Sequence, residues 1–144
     1  MNDHTLNLYV DVYHGAKMGI EAIDALMKNT EYQDFRQELL KTQNKYKTIE
    51  RKADKAIQHL GGIPHEISTA SRMMTQGMVM LRTMWDDSPE NISRMVLKGF
   101  DTAVKEISSS MEKNENATSE ARDLAFSLLE MQQEDMGTYT KYLS

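Results

Sequence analysis

Four polar residues, Lys17, Gln43, Gln132 and Asp135, fall on or beside apolar stripes at helical spacing. Lys17 lies between Tyr13 and Ile20, Gln43 between Leu39 and Tyr46, and Asp135 between Leu128 and Tyr139, at steps of three, four or seven. Such steps keep residues on one helix face. Counted from the shared helix ends, all four come at similar heights and make a candidate polar layer inside the core. At that depth a helical bundle does carboxylate–imidazole metal chemistry: one Glu from each of two helices, and a Glu-x-x-His pair from each of the other two. Here the pairs read Gln43-x-x-Tyr46 and Gln132-x-x-Asp135, Lys17 stands for a carboxylate, and the third long helix offers Gly99 and Ala103. An ammonium repels iron and neutral amides are poor ligands for it. We therefore expect a degenerate metal site, with no metal, no catalytic residue and no cofactor. The layer reads as hydrogen-bonded groups that fix helix register. An unpaired Asp135 there would be costly, and Lys17 is the cation that the heights place nearest it.

The other candidates are weaker. Glu50 and Asp54 share a helix face, but Glu21 lies roughly 18 Å from Glu50 along the axis, too far to share an ion. They read as solvated carboxylates near Arg51 and Lys55. His4, His14, His59 and His65 form no cluster, and no Ser-His-Asp set or phosphate loop occurs. Gly15 and Gly19, four apart, suit the close approach of a neighbouring helix. The most unusual stretch holds Met73, Met74, Met78 and Met80, followed by Met84 and Trp85. Thioethers bind soft copper ions, but they also pack adaptably and make binding surfaces. These six residues are a candidate interface. They carry more apolar surface than one helix face can bury, which predicts a homodimer with two-fold symmetry.

The elements that must position these residues are helices. The spacing predicts a first helix over Asp3 to Lys28 with the stripe Leu6, Tyr9, Tyr13, Ala16, Ile20, Ile23 and Met27. Thr30 with Gln33 is a capping-box pair that opens a second helix, which carries Phe35, Leu39, Tyr46, Ile49, Ala53, Ile57 and Leu60. Gly61-Gly62 ends it and Pro64 blocks a restart. A shorter fifth helix fits Ser68 to Trp85. Ser88 as cap and Pro89 at the first helical position open the next long helix, with Ile92, Met95, Val96, Ala103, Ile107 and Met111 inward. The last helix begins near Thr118 and turns Ala121, Leu124, Leu128, Met131, Tyr139 and Tyr142 inward. Two long helices, a connection of about 27 residues able to travel the bundle's length, and two more long helices make an all-α four-helix bundle with one long crossover.

Composition bounds the rest. The 144 residues suit one domain, 1–144, and 40% hydrophobic with 27% charged residues suit a folded chain. The net charge is −5 with no basic cluster, which argues against nucleic acid. No stretch approaches the roughly 18 apolar residues of a membrane span, and the first residues carry no leader pattern. Cysteine is absent, which excludes disulfides and thiolate chemistry and fits a cytoplasmic setting.

Lys17-Met18-Gly19-Ile20-Glu21, Leu60-Gly61-Gly62, Lys98-Gly99-Phe100-Asp101 and Gln132-Gln133-Glu134-Asp135 together carry a resemblance. The chain resembles the small uncharacterised bacterial bundles of the ferritin-like superfamily. The resemblance implies a ferritin-like fold and carries no activity. Three readings of function follow. The chain is a non-enzymatic bundle for assembly or protein interaction, which we favour. Otherwise it is a metal-binding relative of di-iron or dimanganese carboxylate proteins, or a binder of a small apolar ligand between helices.

Overall fold

The computed structural model describes residues 3–62 and 86–143. Within them lie four helices: α1 (Asp3–Lys28), α2 (Gln33–His59), α3 (Pro89–Lys113) and α4 (Ser119–Thr140). No strand occurs among the described residues. The expected fifth helix, Ser68 to Trp85, lies outside them.

Local chemistry sets the helix ends. Leu60 closes α2 with Gly61 at φ 79°, its N–H donating to Gln58 O, while Gly62 N–H donates to Ile57 O. This is the paired Schellman pattern, which needs the left-handed residue that glycine supplies without strain. Ser88 Oγ accepts from Asn91 N–H at 3.2 Å, with Pro89 at the first helical position. Asp86 in turn accepts from Ser88 N–H, and its hydrogen bonds with Ser88 hold its carboxyl below the usual range. Thr118 Oγ1 caps α4 by accepting from Ala121 N–H. The capping box expected at Thr30 does not form. Tyr32 is the N-cap of α2 without a side-chain bond, and buried Thr30 accepts from Tyr32 N–H and, through its carbonyl, from Arg36. The chain needs two more residues to turn, so Thr30 serves the turn rather than the helix.

The ends fix the directions. Thr118 N–H donates to Thr5 Oγ1 at 2.9 Å and Asn116 N–H to His4 Nδ1, so α1 begins beside the α3–α4 turn. Gly62 lies against Leu6 at that same end. At the other end the Phe35 ring of α2 meets Tyr142, just beyond α4, edge-on at 4.9 Å. Thus α1 and α4 run one way, α2 and α3 the other. The chain leaves α2 at one end of the bundle and enters α3 at the other. The pairs α1–α2 and α3–α4 pack most extensively, while α1 also touches α3 and α4.

Leu8, Val12, Ala16, Ile23 and Leu26 of α1 are buried against Phe35, Leu39, Tyr46, Ile49, Ala53 and Ile57 of α2. From α3 and α4 come Ile92, Val96, Phe100, Ile107, Ala121, Ala125, Leu128, Met131 and Tyr139. Each large apolar side chain so buried contributes roughly 1.5–3 kcal/mol. The centre of the α1 stripe differs from the expected one: Leu6, Tyr9, Ile20 and Met27 are partly buried at its flanks. Because α1 packs on three helices, its buried arc is wider than one stripe and centres on Leu8 and Val12.

Candidate functional site

Gln43, Gln132 and Asp135 are all buried, at 4%, 0% and 3% exposure. Two hydrogen-bonded groups hold Asp135 and Gln132. In the first, Asp135 of α4 accepts from Thr42 Oγ1 at 2.9 Å and from Lys45 Nζ at 2.7 Å, both on α2. Thr42 Oγ1 also lies 2.8 Å from the Tyr139 hydroxyl, which donates to Glu38 O at 3.1 Å. In the second, Gln132 Nε2 donates to the Tyr46 hydroxyl at 3.3 Å; Gln43 stands outside both groups, its Nε2 donating to the Ile20 carbonyl at 3.0 Å.

One expectation is corrected here. The cation on Asp135 is Lys45, not Lys17, which sits half-buried on α1. Height along the axis selected Lys17, but side-chain reach decides the partner. Thr42 and Lys45, three apart on α2, face the same α4 carboxylate, and the lysine stem crosses the surface to keep its ammonium half in water. Thr42, Lys45 and the two tyrosine hydroxyls are functional groups that the apolar-stripe reading passed over. Spacing alone held a signal for Thr42, four before Tyr46 on the same stripe, and none for exposed Lys45.

Burial raises the phenol pKa of both Tyr46 and Tyr139 above the ordinary range, and the Asp135 charge adds to each rise. The hydroxyls are therefore neutral hydrogen-bonding groups rather than bases at neutral pH. Among the described residues no three His, Asp or Glu side chains converge as metal ligands. Met73, Met74, Met78, Met80, Met84 and Trp85, the candidate interface, lie outside the described residues.

A concavity runs between α1 and α3. It encloses about 710 Å³, within the usual span of small-molecule sites. Its walls are Gly15, Met18, Gly19 and Ala22 of α1 facing Met95, Gly99, Phe100 and Ala103 of α3, and Tyr46, Leu128 and Gln132 form part of the lining from α2 and α4. Small residues open this space: among the described residues, glycine or alanine stands at several positions on both walls. Gly19 has a further role, because a Cβ there would sit 2.5 Å from the Tyr46 ring. The glycine pair on α1 thus admits a tyrosine from α2, and Gly15 faces Leu128 of α4. Asp11, His14, Lys98 and Glu106 also line the groove, and Ser110 Oγ donates to Asp11 at 2.6 Å between its walls. Among the described residues the buried side-chain polar atoms without a partner are Gln132 Oε1 and Ser93 Oγ.

No family model matches the chain, and no curated protein is significantly similar to it. Among solved structures it is similar to the crystal structure of a DUF305 fragment from Deinococcus radiodurans. The likeness has a TM-score of 0.73 over 96% of this chain and 93% of that one, at 14% identity. Identity that low makes it a likeness of fold: an all-helical, four-helix arrangement.

Proposed function

We propose that the protein is a non-enzymatic binder of a small, mainly apolar ligand, held in the α1–α3 groove of a ferritin-like bundle. The observation that carries this reading is the groove itself, about 710 Å³ walled by glycine, alanine, methionine and phenylalanine. The ferritin-like part is supported by the order of directions and by the single passage from one end to the other between α2 and α3. Where a di-metal relative would set Glu-x-x-His pairs, this chain has amides, Tyr46 and an Asp135 already engaged by Lys45. That engagement favours ligand binding over metal chemistry, and neutral tyrosine hydroxyls supply no base.

The test is fluorescence of the neutral apolar dye N-phenyl-1-naphthylamine. Saturable enhancement is expected with the native protein. It should be lost in Ala103→Phe, which fills the groove, and kept in Phe126→Ser, at an exposed α4 position. No saturable enhancement, or binding untouched by Ala103→Phe in a folded protein, would overturn the reading.

A further inference from the structure

Gln132 lies at 0% exposure, yet it lines the α1–α3 groove. Its Nε2 is engaged by Tyr46, and among the described residues its Oε1 has no partner. A buried amide oxygen left unpaired is costly, and native proteins rarely keep one without a use. The terminal torsion of glutamine is soft, so the amide can turn to meet a group in the groove that the residue lines.

We infer that Gln132, backed by the Tyr46 hydroxyl, recognises an uncharged polar head group on the groove's apolar ligand: an alcohol or a primary amide. This rests on the groove being a ligand site. An amide oxygen needs a donor, so a hydroxyl or N–H satisfies it and a carboxylate does not. An ammonium head would lose its hydration against an uncharged floor of Tyr46, Leu128 and Gln132. A hydroxyl or primary amide also suits the glutamine amide turned end over end, because each carries a donor and an acceptor.

Competition against bound N-phenyl-1-naphthylamine tests this with three ligands of one chain length: 1-octanol, octanamide and octanoate. Octanol and octanamide are expected to bind about tenfold tighter than octanoate, the worth of one hydrogen bond to an otherwise unpaired buried group. In Gln132→Met, of similar shape and without the amide, the preference should shrink severalfold, to what burying the octanoate charge alone costs. Should Gln132→Met fail to fold, Tyr46→Phe serves. It frees the Gln132 N–H, so octanamide should gain severalfold over octanol, and an unchanged ratio counts against the inference. Octanoate binding as tightly as octanol, or a preference undiminished in Gln132→Met, would overturn the inference and leave the groove reading standing. Absence of dye binding in the native protein would overturn both.

Discussion

Lys45 of α2 places its ammonium 2.7 Å from the carboxylate of Asp135 on α4, with the lysine side chain 48% exposed and the aspartate 4%. The pair is lopsided: the anion is desolvated and the cation is not. Removing the cation strands a buried charge, whereas removing the anion lets the lysine swing into water. Lys45→Met should therefore cost about 2–3 kcal/mol and Asp135→Asn, which can still bond Thr42, only about 1 kcal/mol. The double variant should cost less than the sum. Urea denaturation of the four proteins measures this, and equal costs that simply add would mean the two groups do not interact.

Gly19 and Gly137 should respond to alanine with opposite signs. At Gly19 the new Cβ meets the Tyr46 ring at 2.5 Å, while at Gly137 nothing lies within 4 Å. Overpacking costs about 1–3 kcal/mol and the better helix propensity of alanine returns up to about 1. Gly19→Ala is expected to lose about 1–2 kcal/mol and Gly137→Ala to gain up to about 1. Thermal melts of both variants decide it. Stabilisation of Gly19→Ala would show that Tyr46 yields its place freely.

Thr118 joins two elements, capping α4 through its hydroxyl and binding Thr5 of α1 through its N–H. Thr118→Ala removes the cap and the side-chain hydrogen bond to Tyr9, and should cost about 1 kcal/mol or somewhat more. Thr5→Val removes the acceptor of a part-buried backbone N–H and should cost a further 1 kcal/mol or about that. Hydrogen exchange at Thr118 and Ala121 separates them: Thr5→Val should speed the first, Thr118→Ala the second.

Helix positions were legible in the sequence because they rest on local chemistry. Ser88-Pro89, Gly61-Gly62 and the α1 bounds Asp3–Lys28 depend on a few adjacent residues. Thr30 misled because a capping box and a turn residue use the same hydroxyl, and the geometry of the following turn chooses between them. In the polar groups, burial of Gln43, Gln132 and Asp135 follows from helical phase, which periodicity reveals. Partner choice does not follow from it. Lys45 reaches Asp135 through a long side chain across an interhelical gap, and no count along one helix measures that distance. The groove was illegible for the same reason. Gly99 and Ala103 stand in the sequence only as the third long helix's residues at the depth of the polar layer, and it is the facing Gly15, Gly19 and Ala22 of α1 that make them a groove wall.

Tyr46 and Tyr139 should make the fold sensitive to alkali. Burial is the main cause that raises both phenols above the ordinary tyrosine value, with the nearby Asp135 charge adding to it. An acid whose folded pKa exceeds its unfolded one is held protonated by the native state. Its stabilisation is complete below the unfolded value, near 10, and is lost as pH rises beyond it. Urea midpoints should thus stay level through neutral pH and fall above about pH 10. Tyrosinate absorbance should show Tyr46 and Tyr139 ionising together with unfolding. Replacing both by phenylalanine removes the Tyr46 contact to Gln132 and the Tyr139 bond to Glu38 O, so the variant should start less stable yet decline less steeply with alkali. A native-state titration in which all six tyrosines ionise in one step near pH 10 would contradict the burial of these two hydroxyls.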